Sequence, residues 1–458
     1  MAARLTVLAL AASAGAFLDD EDAERVRRAC RHWRRAAELT PRLIFLPTYV
    51  RTLRGLLATD EQRLTALHSV KEFFDEICPA RDGGSDTDPV QIEHFSGGVL
   101  NDVTNAVLAI AVAGAHRVPL VGAALDALVA VRGCSIPARD HLIWRRIQLE
   151  LCAALKQHEE TREATAIELQ RLILRALVLL CAKPWYPSRL SVLPEVPWER
   201  FLHSPSPNVV DAMVLLATVS DGPIDVTQAV LNAGVLPLVV NCAKAGVAVL
   251  GCLRVLGNIC SGIDVYAQAV INAGGVDVLA SQLTSDVPSI LKEASWALSN
   301  IAAGNVDQID ALIKHPTIVR DVLANFTCAW PEVRKESVWT IANIASAGSR
   351  QQLRILIEEH AVVEAMCGIA AATADVKMAI VALEAVGNCL HAFECLKREQ
   401  GLAVNALVTR LRATAALIQL QSLSHHTDTD VVAQVRTLRE RYFEAGEEDD
   451  LCDSGEED

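Results

Sequence analysis

Four stretches decide the fold: Leu253-Arg-Val-Leu-Gly-Asn-Ile-Cys-Ser-Gly262, Ser295-Trp-Ala-Leu-Ser-Asn-Ile-Ala-Ala-Gly304, Val338-Trp-Thr-Ile-Ala-Asn-Ile-Ala-Ser-Ala347 and Leu383-Glu-Ala-Val-Gly-Asn-Cys-Leu390. Each sets apolar residues at helical spacing around one asparagine. Those asparagines, Asn258, Asn300, Asn343 and Asn388, recur at intervals of 42, 43 and 45 residues. A second element recurs between them, as Gln228-Ala-Val-Leu-Asn-Ala-Gly234-Val-Leu-Pro-Leu and Gln268-Ala-Val-Ile-Asn-Ala-Gly274-Gly-Val-Asp-Val-Leu. Its pattern predicts a helix that ends at a glycine, with an apolar helix resuming within two residues. The polar breaks Leu283–Ser289 and Cys328–Pro331 divide the units, with a proline opening the next helix.

A period of about 40–47 residues is the signature of armadillo or HEAT helical repeats. One such unit cannot bury its own apolar faces, so stacking must supply the core. Upstream the pattern is weaker. Asp60–Phe74 is amphipathic at helical spacing, Gly97-Gly-Val-Leu-Asn-Asp-Val resembles the glycine turn, and 119–132, 145–157, 166–182 and 208–220 read as further helices. Ala80–Asp88 and the proline-rich Lys183–Pro197 read as surface loops between repeats.

Composition agrees with a packed, helical chain. Of 458 residues, 51% are hydrophobic and 21% charged, and aromatics make up 4%, low for a sandwich or barrel. The net charge of −14 would repel a phosphate backbone, which argues against nucleic acid and favours basic partners. Nine carboxylates crowd into residues 444–458, which reads as a solvated tail. The thirteen cysteines are scattered without a CxxC pair, as expected of small buried thiols in a reducing compartment. Against that, Met1–Phe17 has the look of a secretory signal, with an apolar helix or a misplaced start as the other readings. No membrane-spanning helix is expected, because the longest charge-free stretch, Val226–Ala243, carries Asn232, Gly234, Pro237 and Asn241. There is no P-loop, GxGxxG, GxSxG or HExxH, and the cluster His425, His426, Asp428 and Asp430 falls in a polar turn. No enzyme, cofactor or metal is expected.

Lys292-Glu-Ala-Ser-Trp-Ala-Leu-Ser-Asn-Ile-Ala-Ala-Gly-Asn-Val-Asp-Gln-Ile309 and Lys335-Glu-Ser-Val-Trp-Thr-Ile-Ala-Asn343 resemble the seventh and eighth armadillo repeats of importin alpha, the cargo adaptor of nuclear import. Val219–Pro223 resembles the turn of the fifth repeat, Leu253–Gln268 the sixth, and Leu417–Phe443 with the acidic stretch after it the tenth repeat and tail. The match is specific over about 208–450 and thin over 55–207. It implies an all-α, right-handed superhelical armadillo solenoid of nine to ten repeats, residing in cytoplasm and nucleus. Basic cargo peptides would be its ligands and importin beta a further partner.

The motif also has a physical reading of its own. Trp296 and Asn300 are i, i+4 on one helix face, as are Trp339 and Asn343. Stacked repeats would place these indoles side by side, forming slots for lysine or arginine stems, each worth roughly 0.5–2 kcal/mol of cation–π attraction. The carboxamides would match the backbone of an extended peptide. Asn258, Trp296, Asn300, Trp339 and Asn343 are therefore the candidate peptide-binding residues. Asp264, Glu293 and Glu336 stand where the resemblance places acids for the basic heads. A lone tryptophan in a helical repeat is more often core packing, and repeat asparagines are partly structural; two Trp-x-x-x-Asn pairs 43 residues apart favour a groove.

Departures from the family are equally plain. Between 55 and 207 no tryptophan stands four residues before an asparagine; the nearest pair is Trp144/Gln148, and helices there hold Leu125/Val129, Leu149/Ala153 and Arg175/Leu179. The tryptophan slots of the sixth and ninth repeats hold Arg254 and Glu384, which by contrast is ordinary for the family's pattern. The only basic run near the N-terminus is Arg25, Arg27, Arg28, Arg31, Arg34 and Arg35, a capping helix or a reduced importin-beta-binding arm. The expected organisation is an N-terminal segment 1–24, a basic segment 25–54, divergent repeats 55–207, importin-alpha-like repeats 208–443 and an acidic tail 444–458. Three readings follow: a divergent import adaptor, an armadillo scaffold that no longer binds import signals, or an extracytoplasmic repeat protein.

Overall fold

A computed structural model describes residues 59–77, 97–113, 117–133, 137–157, 163–182, 186–203 and 206–444. The signal-like Met1–Phe17, the arginine run, the Ala80–Asp88 stretch and nearly all of the acidic tail lie outside the described residues. Among those described, every element is a helix. The chain divides into two compact units, Met1–Phe201 and Leu202–Asp458.

The first unit contains α1 (Asp60–Ile77), α2 (Gly97–Ala113), α3 (Val118–Gly133), α4 (Pro137–Gln157), α5 (Ala164–Cys181) and α6 (Tyr186–Val192), with α7 (Trp198–Leu202) at its boundary. α3 packs on α1, α2 and α5, and α4 on α2, α5 and α6. Leu67, Val70, Phe74, Leu128, Ile147 and Leu151 fill this core. The expectation of a surface loop over Lys183–Pro197 is corrected here. α6 occupies part of that stretch, and Val192, Leu193 and Val196 are buried. Arg189, 2% exposed, donates from Nε to the Cys181 carbonyl at 3.0 Å, and Trp198 Nε1 donates to the Leu193 carbonyl at 2.7 Å. The prolines misled because Pro187 sits in the first turn of α6, where a missing N–H costs nothing.

The second unit opens with α8 (Val209–Ser220) and continues as three-helix repeats. They comprise α9 (Ile224–Asn232), α10 (Leu236–Lys244) and α11 (Val249–Cys260); then α12 (Asp264–Asn272), α13 (Gly275–Ser281) and α14 (Pro288–Ala302). Next come α15 (Val306–Ile313), α16 (Ile318–Ala324) and α17 (Pro331–Ala347), then α18 (Arg350–Glu359), α19 (Val362–Ala372) and α20 (Val376–Gln400). The last repeat is α21 (Ala406–Arg412), α22 (Ala415–Ser422) and α23 (Thr429–Arg439). Gly234 and Gly274 adopt φ of 67° and 78° just past α9 and α12, the left-handed conformation that lets the chain reverse at once. Pro288 and Pro331 open α14 and α17.

The third helices α8, α11, α14, α17, α20 and α23 pack in sequence, each on the next. Leu253, Leu256, Ile259, Leu298, Ile301, Ile341, Ile344, Val386 and Leu390 are buried along them. Polar staples fix the repeat spacing. Gln308 and Gln352 each close a capping box with Asn305 and Ser349, then donate to the preceding repeat, at Asp264 O (2.6 Å) and Val306 O (2.7 Å). α20 is apolar and long enough to cross a membrane, but half of that window is buried, against α17, α19 and α23, which makes it a core helix. The charge-free stretch noted above forms two helices bent by 77° at their junction.

Seven of the nine described cysteines are buried and none forms a disulfide. Burial pushes the thiols of Cys152, Cys252, Cys367 and Cys389 up to about 12 and raises those of Cys242 and Cys260.

Candidate functional site

The candidate residues fall mainly on the third helices α11, α14 and α17. On α14 the Trp296 ring lies over Gly257 of α11. A Cβ at position 257 would collide with ring atoms Cζ3 and Cε3, so this close approach requires glycine. The same ring carries the Arg254 guanidinium 5.5 Å from its centroid. Arg254 Nη2 donates to Glu293 Oε1 at 2.5 Å, and Glu293, one helical turn before Trp296, is 4% exposed. Burial pushes the Glu293 carboxyl upward, Arg254 and Lys292 oppose that shift, and Glu336 adds to it. Glu293 Oε2 is buried with no donor.

One repeat further on, Trp339 of α17 is 38% exposed. Glu336, one turn before it, accepts a hydrogen bond from the Ser299 hydroxyl of α14 at 2.8 Å. Each acid therefore reaches back to the preceding repeat, Glu293 to a cation and Glu336 to a neutral hydroxyl.

The asparagines are not equivalent. Asn258 Nδ2 donates to Ala217 O (3.2 Å) and Ser220 Oγ (2.9 Å) of α8, and Asn343 Nδ2 donates to Ser299 O (3.0 Å) of α14. These two tie each third helix to its predecessor. Asn300, between them, has its Nδ2 buried without an acceptor. Asp264 stands apart. It begins α12 and is bonded to the α15 cap, Asn305 Nδ2 donating to its Oδ2 (3.4 Å) and Gln308 Nε2 to its carbonyl. Glu293, Glu336, Trp296, Asn300, Trp339 and Asn343 are brought together on packed helices; Asp264 is exposed at the start of α12 and is not among them.

In the first unit, Trp144 is 2% exposed and Gln148 is fully buried, its Nε2 donating to Leu180 O at 3.1 Å. That pair is core. Leu125 is buried, Leu149 half-buried and Ala153 exposed, while Arg175 and Leu179 are both exposed on α5.

Sequence reading passed over two features. The first is the contact of Arg254 with Trp296 and Glu293, whose only sequence trace is a basic residue at the aligned position. The second is a cavity of about 370 Å³ between α20 and α23, lined by Glu384, Asn388, His391, Leu438, Arg441 and Tyr442 among others. Leu438 there lies against Gly387, whose added Cβ would fall 3.2 Å from Leu438 Cδ2, much as Trp296 lies against Gly257.

Residues 264–303, spanning α12 to α14 with Trp296 and Asn300, match the Armadillo/beta-catenin-like repeat family. The chain is 32% identical to importin subunit alpha-1a of Oryza sativa subsp. japonica over 317 residues, covering 68% of this chain and 58% of the relative. This is a divergent, importin-alpha-like armadillo-repeat protein. It is also 32% identical to importin subunit alpha-4 of Arabidopsis thaliana over 252 residues, 54% of this chain and 46% of that one. The chain thus spans about half to three-fifths of the length of these relatives. A crystal structure of an engineered protein superposes with a TM-score of 0.57 at 20% identity, covering 86% of this chain and 98% of the other, which speaks to the fold alone.

Proposed function

We propose that the protein is an importin-alpha-like adaptor that binds short, extended basic peptides along α14 and α17 for nuclear import. One observation carries this reading: an indole with a guanidinium on its face and a buried carboxylate one turn away, followed one repeat later by an indole left 38% exposed. A lysine or arginine stem against Trp339 would find the same chemistry, with Glu336 for its head. Asn300 Nδ2 has no acceptor within the fold, so its donor is the one a peptide carbonyl could satisfy. The relatives are importin alpha subunits by name, so a basic cargo peptide, importin beta as transport partner and residence in cytoplasm and nucleus belong to this proposal.

The test is the affinity of a fluorescent monopartite basic peptide for the wild type and for Trp296→Ala/Trp339→Ala. Loss of both indoles should weaken binding about tenfold or more. Binding unchanged in the double variant would overturn the groove. A pull-down with importin beta tests the transport role separately.

The scaffold reading has its own support. Asn258 and Asn343 use their amide nitrogens to hold neighbouring repeats, which accounts for those two positions without any ligand. In that case the wild type binds no basic peptide.

A further inference from the structure

We infer that the cleft between α20 and α23 is a second peptide site, which takes a segment carrying one basic and one acidic residue. It goes beyond the basic-peptide reading and does not depend on it.

The cleft has an apolar floor and two oppositely charged ends. Leu383 and Leu438 are buried beneath it, and Gly387 lets Leu438 approach α20 closely. Glu384, Asn388 and His391 stand at i, i+4 and i+7 on one face of α20. Glu384 is exposed and meets no cation among the described residues. Asn388 is exposed too, and its carboxamide is bonded to nothing among the described residues, unlike those of Asn258 and Asn343. It has a donor and an acceptor to offer a peptide backbone.

The positive end is held in place. The Arg441 guanidinium lies 5.2 Å from the centroid of the Tyr442 ring, and its Nη2 is 3.4 Å from His391 Nδ1. No carboxylate among the described residues pairs with Arg441, whereas Arg398 and Arg439 have Glu394 and Glu444. The phenol and the imidazole orient the guanidinium without neutralising it, which leaves its charge for a carboxylate from outside.

Spacing and charge together select the ligand. Seven helical residues separate Glu384 from His391, about 10 Å along the axis. Side chains two positions apart on an extended peptide share one side and stand about 7 Å apart, and lysine and glutamate stems span the rest. A purely basic segment would meet Arg441 and a purely acidic one Glu384, while a segment with one charge of each sign satisfies both ends. The volume of about 370 Å³ has room for such a pair.

The probe is a labelled eight-residue peptide of alanine and serine with lysine and glutamate two positions apart, made in both orders. Two controls replace either the lysine or the glutamate by glutamine. Affinities are measured by fluorescence anisotropy on the full chain at low ionic strength, where exposed ion pairs are least screened. The wild type should bind the better Lys/Glu order about three- to fivefold more tightly than either control, the effect of one exposed ion pair. Arg441→Gln should erase the preference for glutamate and keep that for lysine, and Glu384→Gln should do the reverse. Arg441→Glu should bind the glutamate peptide more weakly than its glutamine control, an inversion that loss of structure cannot produce.

No binding, or equal binding of all three peptides, would overturn the site. So would preferences that survive Arg441→Gln and Glu384→Gln, or that vanish in Trp296→Ala/Trp339→Ala, which would put the probe in the indole groove. That double variant also separates the two readings. Basic peptides lose affinity there if the proposed function holds, and the Lys/Glu preference persists there if this site exists.

Discussion

The same spacing of indole and carboxamide appears in both units and does opposite work. Trp144 and Gln148 are i, i+4 on α4 and both are buried, with the amide donating to the end of α5. Trp339 and Asn343 are i, i+4 on α17; the indole is 38% exposed and the amide donates to α14. An i, i+4 pair defines a face of a helix and says nothing about which face is buried. The neighbours decide that. Ile147, Leu151 and Leu155 surround the first pair with apolar residues that demand burial, whereas Lys335, Glu336 and Ser346 mark the second face as one that meets water.

This contrast can be broken by substitution, beginning with the largest expected effect. Trp144→Ala should destabilise the first unit by about 3–5 kcal/mol, as for other large buried side chains, seen as a lower urea midpoint. A change below about 1 kcal/mol would show that this tryptophan is not core. Gly257→Val should cost about 1–3 kcal/mol by overpacking against Trp296, and should also quench the Arg254 contact by displacing the ring. Unchanged tryptophan emission and midpoint would contradict the close approach of α11 and α14.

Trp339→Ala should cost less than Trp144→Ala, about 1–3 kcal/mol, because over a third of that residue is already in water. A loss as large as that of Trp144→Ala would erase the distinction between the two regions. Asn343→Ala should cost about 1 kcal/mol, the net worth of its bond to Ser299.

Glu293 offers a pH test of the same boundary. Burial raises its carboxyl above the ordinary 4.5, so the folded protein binds that proton more readily than the unfolded chain. The resulting stability is fully present below 4.5 and is lost as pH rises through the folded value. In Glu293→Gln this dependence should vanish, so the wild type should lose midpoint relative to the variant on going from acid toward neutral pH. Parallel pH profiles would show that Glu293 is not held in a desolvated site.

The second unit was legible because its information is local. Gly234, Gly274, Pro288 and Pro331 mark helix ends by backbone chemistry, and the asparagines give the period. The first unit offers no such punctuation, so its helices could be found while their facing could not. Lys183–Pro197 reads as a loop from its proline density, yet Pro187 sits in a helical first turn. The pairing of Arg254 with Glu293 joins residues 39 apart, and a distance of that kind becomes visible only when two helices meet. Leu438 escaped notice because the length of α20 breaks the repeat interval before α23 is reached.

The interior thiols give this fold a built-in clock. A thiol whose proton is held up to about 12 presents almost no thiolate at neutral pH, so an alkylating reagent should pass over Cys152, Cys252, Cys367 and Cys389 while the helices are closed. Cys328 and Cys395, half-exposed, would react first among the described residues. Mass shifts at Cys152 against those at Cys252, Cys367 and Cys389 would then time the opening of one compact unit separately from the other, with no label engineered into the chain.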